Sequence, residues 1–192
     1  LRAIAVFAVI LYHANFIFFD QNLFQGGFLG VDIFLVISGY LITSIILKEV
    51  INSKQFSFKN FYIRRIRRIL PALFFVMFIS LIAGYFFLLP NSFIDFGKSL
   101  ASAVFFSSNI FFHFTRSGYG TDETFLKPLV HTWSLSIEEQ FYILFPIFFI
   151  IFFKFLKRYI LLILTLGFLM SLFLAEYFSK THGSFGFYQL PT

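Results

Sequence analysis

Long apolar runs constrain this chain more than anything else in it. They cover Ala3–Phe19, Phe28–Leu47, Ile69–Leu89, Glu139–Phe153 and Tyr159–Phe178. Each approaches the roughly 20 residues a helix needs to cross a bilayer. A water-soluble domain has no room to hide so much apolar surface: 59% of the residues are hydrophobic, 12% are charged, and mean hydropathy is +0.86. In hydrocarbon each backbone amide must find its partner within its own segment, which leaves helices as the natural solution here. The expected fold is an all-α integral membrane protein, a polytopic helical bundle with five or six membrane segments and the lipid bilayer as its first partner. With 35 Phe residues, aromatic stripes read as lipid-facing or core rather than as cofactor boxes. The absence of Cys excludes a disulfide framework, thiolate catalysis and Cys-ligated metals.

The net charge of +6 is not spread as nucleic-acid binding requires, so no nucleic-acid partner is expected. Lys48, Lys54, Lys59, Arg64, Arg65, Arg67 and Arg68 crowd one polar stretch, read as a basic loop over 48–68 on the cytoplasmic side. The turn around Asp20-Gln21-Asn22 and Gln25-Gly26-Gly27 is then external, and Arg2 internal, at the membrane edge. Ser38-Gly39, mid-way along the second run, offers small residues for close helix approach. Lys98–Phe114 is short and dotted with Ser99, Ser102, Ser107, Ser108, Asn109 and His113. A full crossing there puts Lys154, Lys157 and Arg158 outside, against the charge rule. A re-entrant or interfacial segment puts them inside with 115–137 outside, and that reading is preferred. The chain opens on Leu within an apolar stretch and closes on Leu190-Pro191-Thr192, which reads as a fragment.

Three polar groups exceed what insertion needs. His13 lies within an apolar run with Arg2 eleven positions earlier. That spacing is about three helical turns, so both share one face, on the order of 16 Å apart. An intramembrane ionisable residue usually faces protein or a cavity. It is either bonded to a neighbouring helix or a proton acceptor. Asp32, near the start of the second run, either complements the helix dipole or pairs with a cation. In Arg64-Arg65-Ile66-Arg67-Arg68, arginines three apart share a helix face and their planar forks suit phosphate oxygens, although a positive-inside anchor also accounts for them. The third group, HTWSLSIEEQFYILFP at 131–146, brings His131, Trp133, Ser134, Ser136, Glu138, Glu139, Gln140 and Tyr142 to the start of a span. Ser136 and Glu139 there have the spacing of a capping box. His113, His131 and His182 lack ligand spacing, so no metal is expected.

Arg2 with His13, GVDIFLVISGYLIT at 30–43, FYIRRIRRILPAL at 61–73 and HTWSLSIEEQFYILFP together resemble the acyltransferase 3 family, bacterial membrane O-acyltransferases of the O-antigen acetylase type. The resemblance implies transfer of an acyl group, often acetyl, from cytoplasmic acyl-CoA to a hydroxyl of a cell-surface carbohydrate such as lipopolysaccharide, exopolysaccharide or a peptidoglycan-type acceptor. It implies a bacterial inner-membrane location. By position, His13 is similar to the family's catalytic histidine and Arg2 to its paired arginine. Arg64 or Arg65, with Arg67 or Arg68, resembles the donor-binding arginine motif, and Glu138 resembles the acidic residue of the WSLSxE block. Asp32 joins the catalytic candidates as a group that orients His13, and Trp133, Ser136 and Tyr142 are the substrate-binding candidates. The whole of 1–192 then reads as the N-terminal part of a single acyltransferase transmembrane domain, incomplete at both ends. Its expected partners are the missing C-terminal helices and, in some members, an SGNH-type domain. The competing class is a transporter or flippase with intramembrane charges along a path. The near-featureless third and last runs speak against it.

Overall fold

Seven α-helices form among the residues that the computed structural model describes: 1–14, 16–18, 21–22, 24–53, 55–115 and 127–181. Asp20, Lys54, His182, residues 116–126 of the polar segment and the closing 190–192 lie outside these residues. The helices are α1 (Arg2–His13), α2 (Gly30–Ser53), α3 (Phe58–Phe87), α4 (Pro90–Val104), α5 (Ser108–Phe114), α6 (Thr132–Phe155) and α7 (Ile160–Thr181). Short 3-10 turns at Gln25–Leu29 and Lys157–Tyr159 lead into α2 and α7. A two-residue ladder pairs Ile17 with Asn22 and Phe18 with Gln21. Four segments are long and apolar enough to cross a membrane: Gln25–Ser53, Phe58–Phe87, Thr132–Phe155 and Lys157–Phe178. The 12-residue α1 is a shorter apolar helix beside them. The protein is an all-α, multi-pass membrane protein.

The chain divides into two compact units, 1–56 and 57–190. In the first, α1 lies antiparallel to the start of α2, and glycine sets their separation. A Cβ at Gly30 would strike the Ala5 carbonyl oxygen and lie 2.8 Å from Val9 Cγ2. One at Gly27 would strike the Ala8 carbonyl oxygen and lie 2.7 Å from Tyr12 Cβ. The close approach is therefore at Gly27 and Gly30. At Gly39, where the sequence suggested it, a Cβ would meet nothing within 4 Å. Gly30→Val should lift α1 off α2 and destabilise the unit by about 1–3 kcal/mol, since backbone cannot step aside as a side-chain tip can. Thermal unfolding in detergent checks this, with Gly26→Ala, which faces open space, leaving the midpoint unchanged.

In the second unit the basic stretch is not a loop. Lys48 lies within α2 of the first unit, and Lys59 and the four arginines belong to α3, whose N-cap Ser57 accepts from the Asn60 amide at 3.4 Å. Helix α3 runs antiparallel to α6. Tyr62 donates to the Ile143 carbonyl at 2.8 Å, Arg65 lies over Tyr142, and Leu73 and Met77 pack with Leu135 and Ala103. The tyrosine bond falls one turn before Pro146, which has no N–H to offer the preceding turn. This pairing sets Arg64–Arg68 level with Glu138–Tyr142, whereas Lys154 lies twelve residues further along α6, about 18 Å away at 1.5 Å per residue. The connection is made by α4 and α5, of 15 and 7 residues. Neither reaches the roughly 20 residues of a crossing.

The α4–α5 corner is held by polar side chains. Ser107 N–H bonds the Ser102 carbonyl at 2.8 Å and Phe106 N–H bonds Ala103 at 3.2 Å, the pattern of a Schellman ending. Phe106 takes the left-handed position at φ 50°, which costs a non-glycine residue roughly 1–2 kcal/mol. Its ring packs on the Leu73–Met77–Ala103 cluster, and its carbonyl accepts from Gln140 Nε2 at 2.7 Å. Both contacts oppose that cost.

Candidate active site

In the first unit, α1 ends at His13. Its Nδ1 lies 2.8 Å from the Val9 carbonyl. A carbonyl can only accept, so Nδ1 carries a proton and donates it, and any uptake of a proton by the ring falls to Nε2. Arg2 starts the same helix, with its guanidinium carbon 5.2 Å from the centre of the Phe34 ring. Its Nε and Nη2 are buried without a hydrogen-bond partner. The register places Arg2 beside Phe34, so it is not at the end of α2 that carries Lys48. The distance between those levels is about 21 Å at 1.5 Å per residue. His13, by contrast, sits near the Gln25–Leu29 turn. Asp32, two residues after Gly30, shares the level of Arg2 and Ala5, roughly 12–15 Å along the axis from His13. Among the described residues it has no ion pair with Arg2. The Val9 carbonyl, not Asp32, holds the Nδ1 side of His13.

In the second unit, the arginine block and the WSLSIEEQ block meet. Arg65 turns onto α6, 4.6 Å from the Tyr142 ring centre and 5.7 Å from that of Phe61. Arg64, Arg67 and Arg68, three and four positions apart on one face, are exposed. The pairing left open by the sequence thus divides into one inward arginine and three outward ones. Tyr142, buried, donates its hydroxyl to Glu138, which is 8% exposed. Glu139, 7% exposed, has Glu138 and Arg65 as charged neighbours, and its Oε1 has no hydrogen-bond partner. Two carboxyls, a phenol and one guanidinium therefore share a mostly buried site. A buried carboxylate is tolerated only with such compensation.

Ser136 sits 1% exposed between α5 and α6, accepting from the Ser108 amide at 3.1 Å and donating to the Thr132 carbonyl at 3.0 Å. Helix α6 already starts at Thr132, so Ser136 lies inside it and caps nothing. Trp133 packs on Phe112 and Val130. The sequence reading passed over two things. One is Glu139 as a buried charge. The other is the stripe Thr132, Ser136 and Gln140, spaced by four, which clamps the α4–α5 corner through Ser108, Asn109 and Phe106. The four-residue period was the available signal.

Residues 1–192 match the family described as Acyltransferase domain. Peptidoglycan O-acetyltransferase OatA of Listeria monocytogenes is 40% identical over 158 residues, 82% of this chain and 24% of that protein. YrhL of Bacillus subtilis, provisionally named a peptidoglycan O-acetyltransferase, is 43% identical over 151 residues, 79% of this chain and 23% of that one. A Staphylococcus aureus protein provisionally named an O-acetyltransferase is 44% identical over 149 residues, covering 77% and 23%. The chain spans about a quarter of the length of these curated relatives. No solved structure matches it. The match runs through α1, the arginines of α3 and the acidic start of α6 alike, and on that ground this chain belongs to the acyltransferase 3 family.

Proposed function

We propose that the protein is the donor-binding and proton-accepting part of a bacterial membrane O-acyltransferase, which moves an acetyl group from acetyl-CoA to a hydroxyl of a cell-wall glycan. The observation that carries this reading is the antiparallel packing of α3 on α6. It turns Arg65 onto Tyr142 and leaves Arg64, Arg67 and Arg68 exposed on the remaining surface of α3. Positive residues favour the cytoplasmic side, and that is where acyl-CoA is found. The three guanidiniums suit the phosphates of CoA, and its thioester is already activated for attack.

In transfer, the acceptor hydroxyl gives its proton to His13 Nε2 as its oxygen attacks the thioester carbonyl. The C–S bond then breaks, and the proton passes to the departing thiolate. Arg2, one α1 length away from His13, holds another part of the substrate: its two unpartnered N–H groups suit an anion or a polarised oxygen. Arg65, Glu138, Glu139 and Tyr142 support the donor-binding helix from behind. The names of two relatives point to peptidoglycan as the acceptor class in preference to lipopolysaccharide. The rest of the domain, with any extracytoplasmic part, completes the site. The test is the full-length protein in vesicles supplied with labelled acetyl-CoA and peptidoglycan fragments. The expected result is ester-linked acetyl on the glycan and free CoA in equal amounts. Movement of a solute with no thioester cleavage would favour a transporter and overturn the reading.

A further inference from the structure

Between α4 and α5, at the end of the second unit away from its arginines, lies a cleft of about 260 Å³ that the reaction above does not use. One wall is a single face of α4, with Ser92, Asp95 and Ser99 at helical spacing; the other holds Phe111 and Thr115, with Lys127 beside them. Its position follows from Phe96, whose ring reaches the last turns of α3 at Gly84, where an added Cβ would lie 3.2 Å away. Gly84 is nineteen residues beyond Arg65 along α3. At 1.5 Å per residue this is about 28 Å, close to the thickness of the hydrocarbon core.

The lining chemistry narrows the occupant. Lys98 donates to Asp95 at 2.8 Å, and that bond, with the charge of Lys98, holds the Asp95 carboxyl below the usual carboxylate range. Asp95 therefore accepts hydrogen bonds and donates none. The hydroxyl of Ser99 spends its proton on the Phe96 carbonyl, which leaves its oxygen as an acceptor, and the Thr115 hydroxyl bonds the Phe111 and Phe112 carbonyls. Ser92 is an additional hydroxyl, and Lys127 a donor. Acceptors, a cation and an aromatic ring suit a molecule with many hydroxyls and a ring of C–H groups. An acyl chain would strand the polar groups, and a phosphate would face the Asp95 carboxylate. The volume is near the lower end of the roughly 300–1,000 Å³ range of small-molecule sites, enough for one sugar ring and not for a polymer.

We propose that this cleft binds one saccharide unit of the glycan acceptor, on the face opposite the donor arginines. The assignment of that sugar as acceptor rests on the acyltransferase reading; the binding itself does not. The probe is an amino-sugar disaccharide released from peptidoglycan by a muramidase, titrated calorimetrically into the full-length protein in nanodiscs. Asp95→Asn breaks only an exposed pair, and Ser92→Phe fills the cleft, so the two fail differently if either disturbs folding. Each should weaken disaccharide binding by about tenfold or more, with acetyl-CoA binding unchanged. Unchanged disaccharide binding in both variants overturns the proposal. So does loss of a co-purifying phospholipid from the variants, seen by native mass spectrometry, while disaccharide binding stays intact. Disaccharide binding that the variants abolish, in a protein that transfers no acetyl group, upholds the cleft and removes the acyltransferase reading.

Discussion

His13→Ala in the full-length protein should lower acetyl transfer by about 10²–10⁴-fold, the usual contribution of a positioned general base. Folding should scarcely change. His13 is exposed at the end of α1, and the hydrogen bond it makes to Val9 is within its own helix, so its loss costs about 0.5–1.5 kcal/mol. The measurement is initial rate against acetyl-CoA concentration, with the unfolding midpoint taken on the same sample. A base acting in the transition state shows its loss in kcat and in kcat/KM together. His13→Gln should behave as His13→Ala does, because an amide cannot take the proton. A variant retaining activity within tenfold of the parent removes His13 from the mechanism.

Arg65→Met should destabilise the second unit. It leaves Glu139 buried beside Glu138 without the guanidinium that compensates them, at a cost of about 1–3 kcal/mol. Adding Glu139→Gln removes the stranded charge. The double variant should regain most of the lost stability and most of the transfer activity, since Arg65 faces Tyr142 and not the donor. The outward arginines behave in the opposite way. Arg64→Gln, Arg67→Gln and Arg68→Gln together should leave the unfolding midpoint near the parent value. They should raise KM for acetyl-CoA by at least about tenfold, as expected for the loss of charge-assisted contacts to phosphate. If the Arg65→Met, Glu139→Gln protein folds yet transfers nothing, Arg65 itself contacts substrate and the division between inward and outward arginines is wrong.

The depth of these groups also bears on how an acetyl group reaches an external acceptor. In the first unit His13 lies at the Gln25–Leu29 end of α2, and in the second the saccharide cleft lies at the end away from the arginines. Each is far from the basic end of its own unit.

The helical fold, the membrane class and the main polar groups were legible from the sequence, because hydropathy and charge are local properties that a bilayer reads residue by residue. The four long spans fall where apolar runs do, and the segment from Lys98 to Phe114 belongs to two helices, each shorter than a single crossing requires. Other features depend on which faces meet, and no local pattern encodes that. The arginine block joined α3 because the helix of a membrane span extends past its apolar part when a capping serine is available at Ser57. Ser136 and Trp133 became packing residues because α5 folds back on α6, and Arg2 moved away from the Lys48 level because Gly27 and Gly30 set the register of α1. The sequence alone thus determined what kind of protein this is and which polar residues stand out from its apolar background. Tertiary structure decided which of them share a site, since only packing chooses among the faces that an apolar helix offers equally well to lipid and to protein.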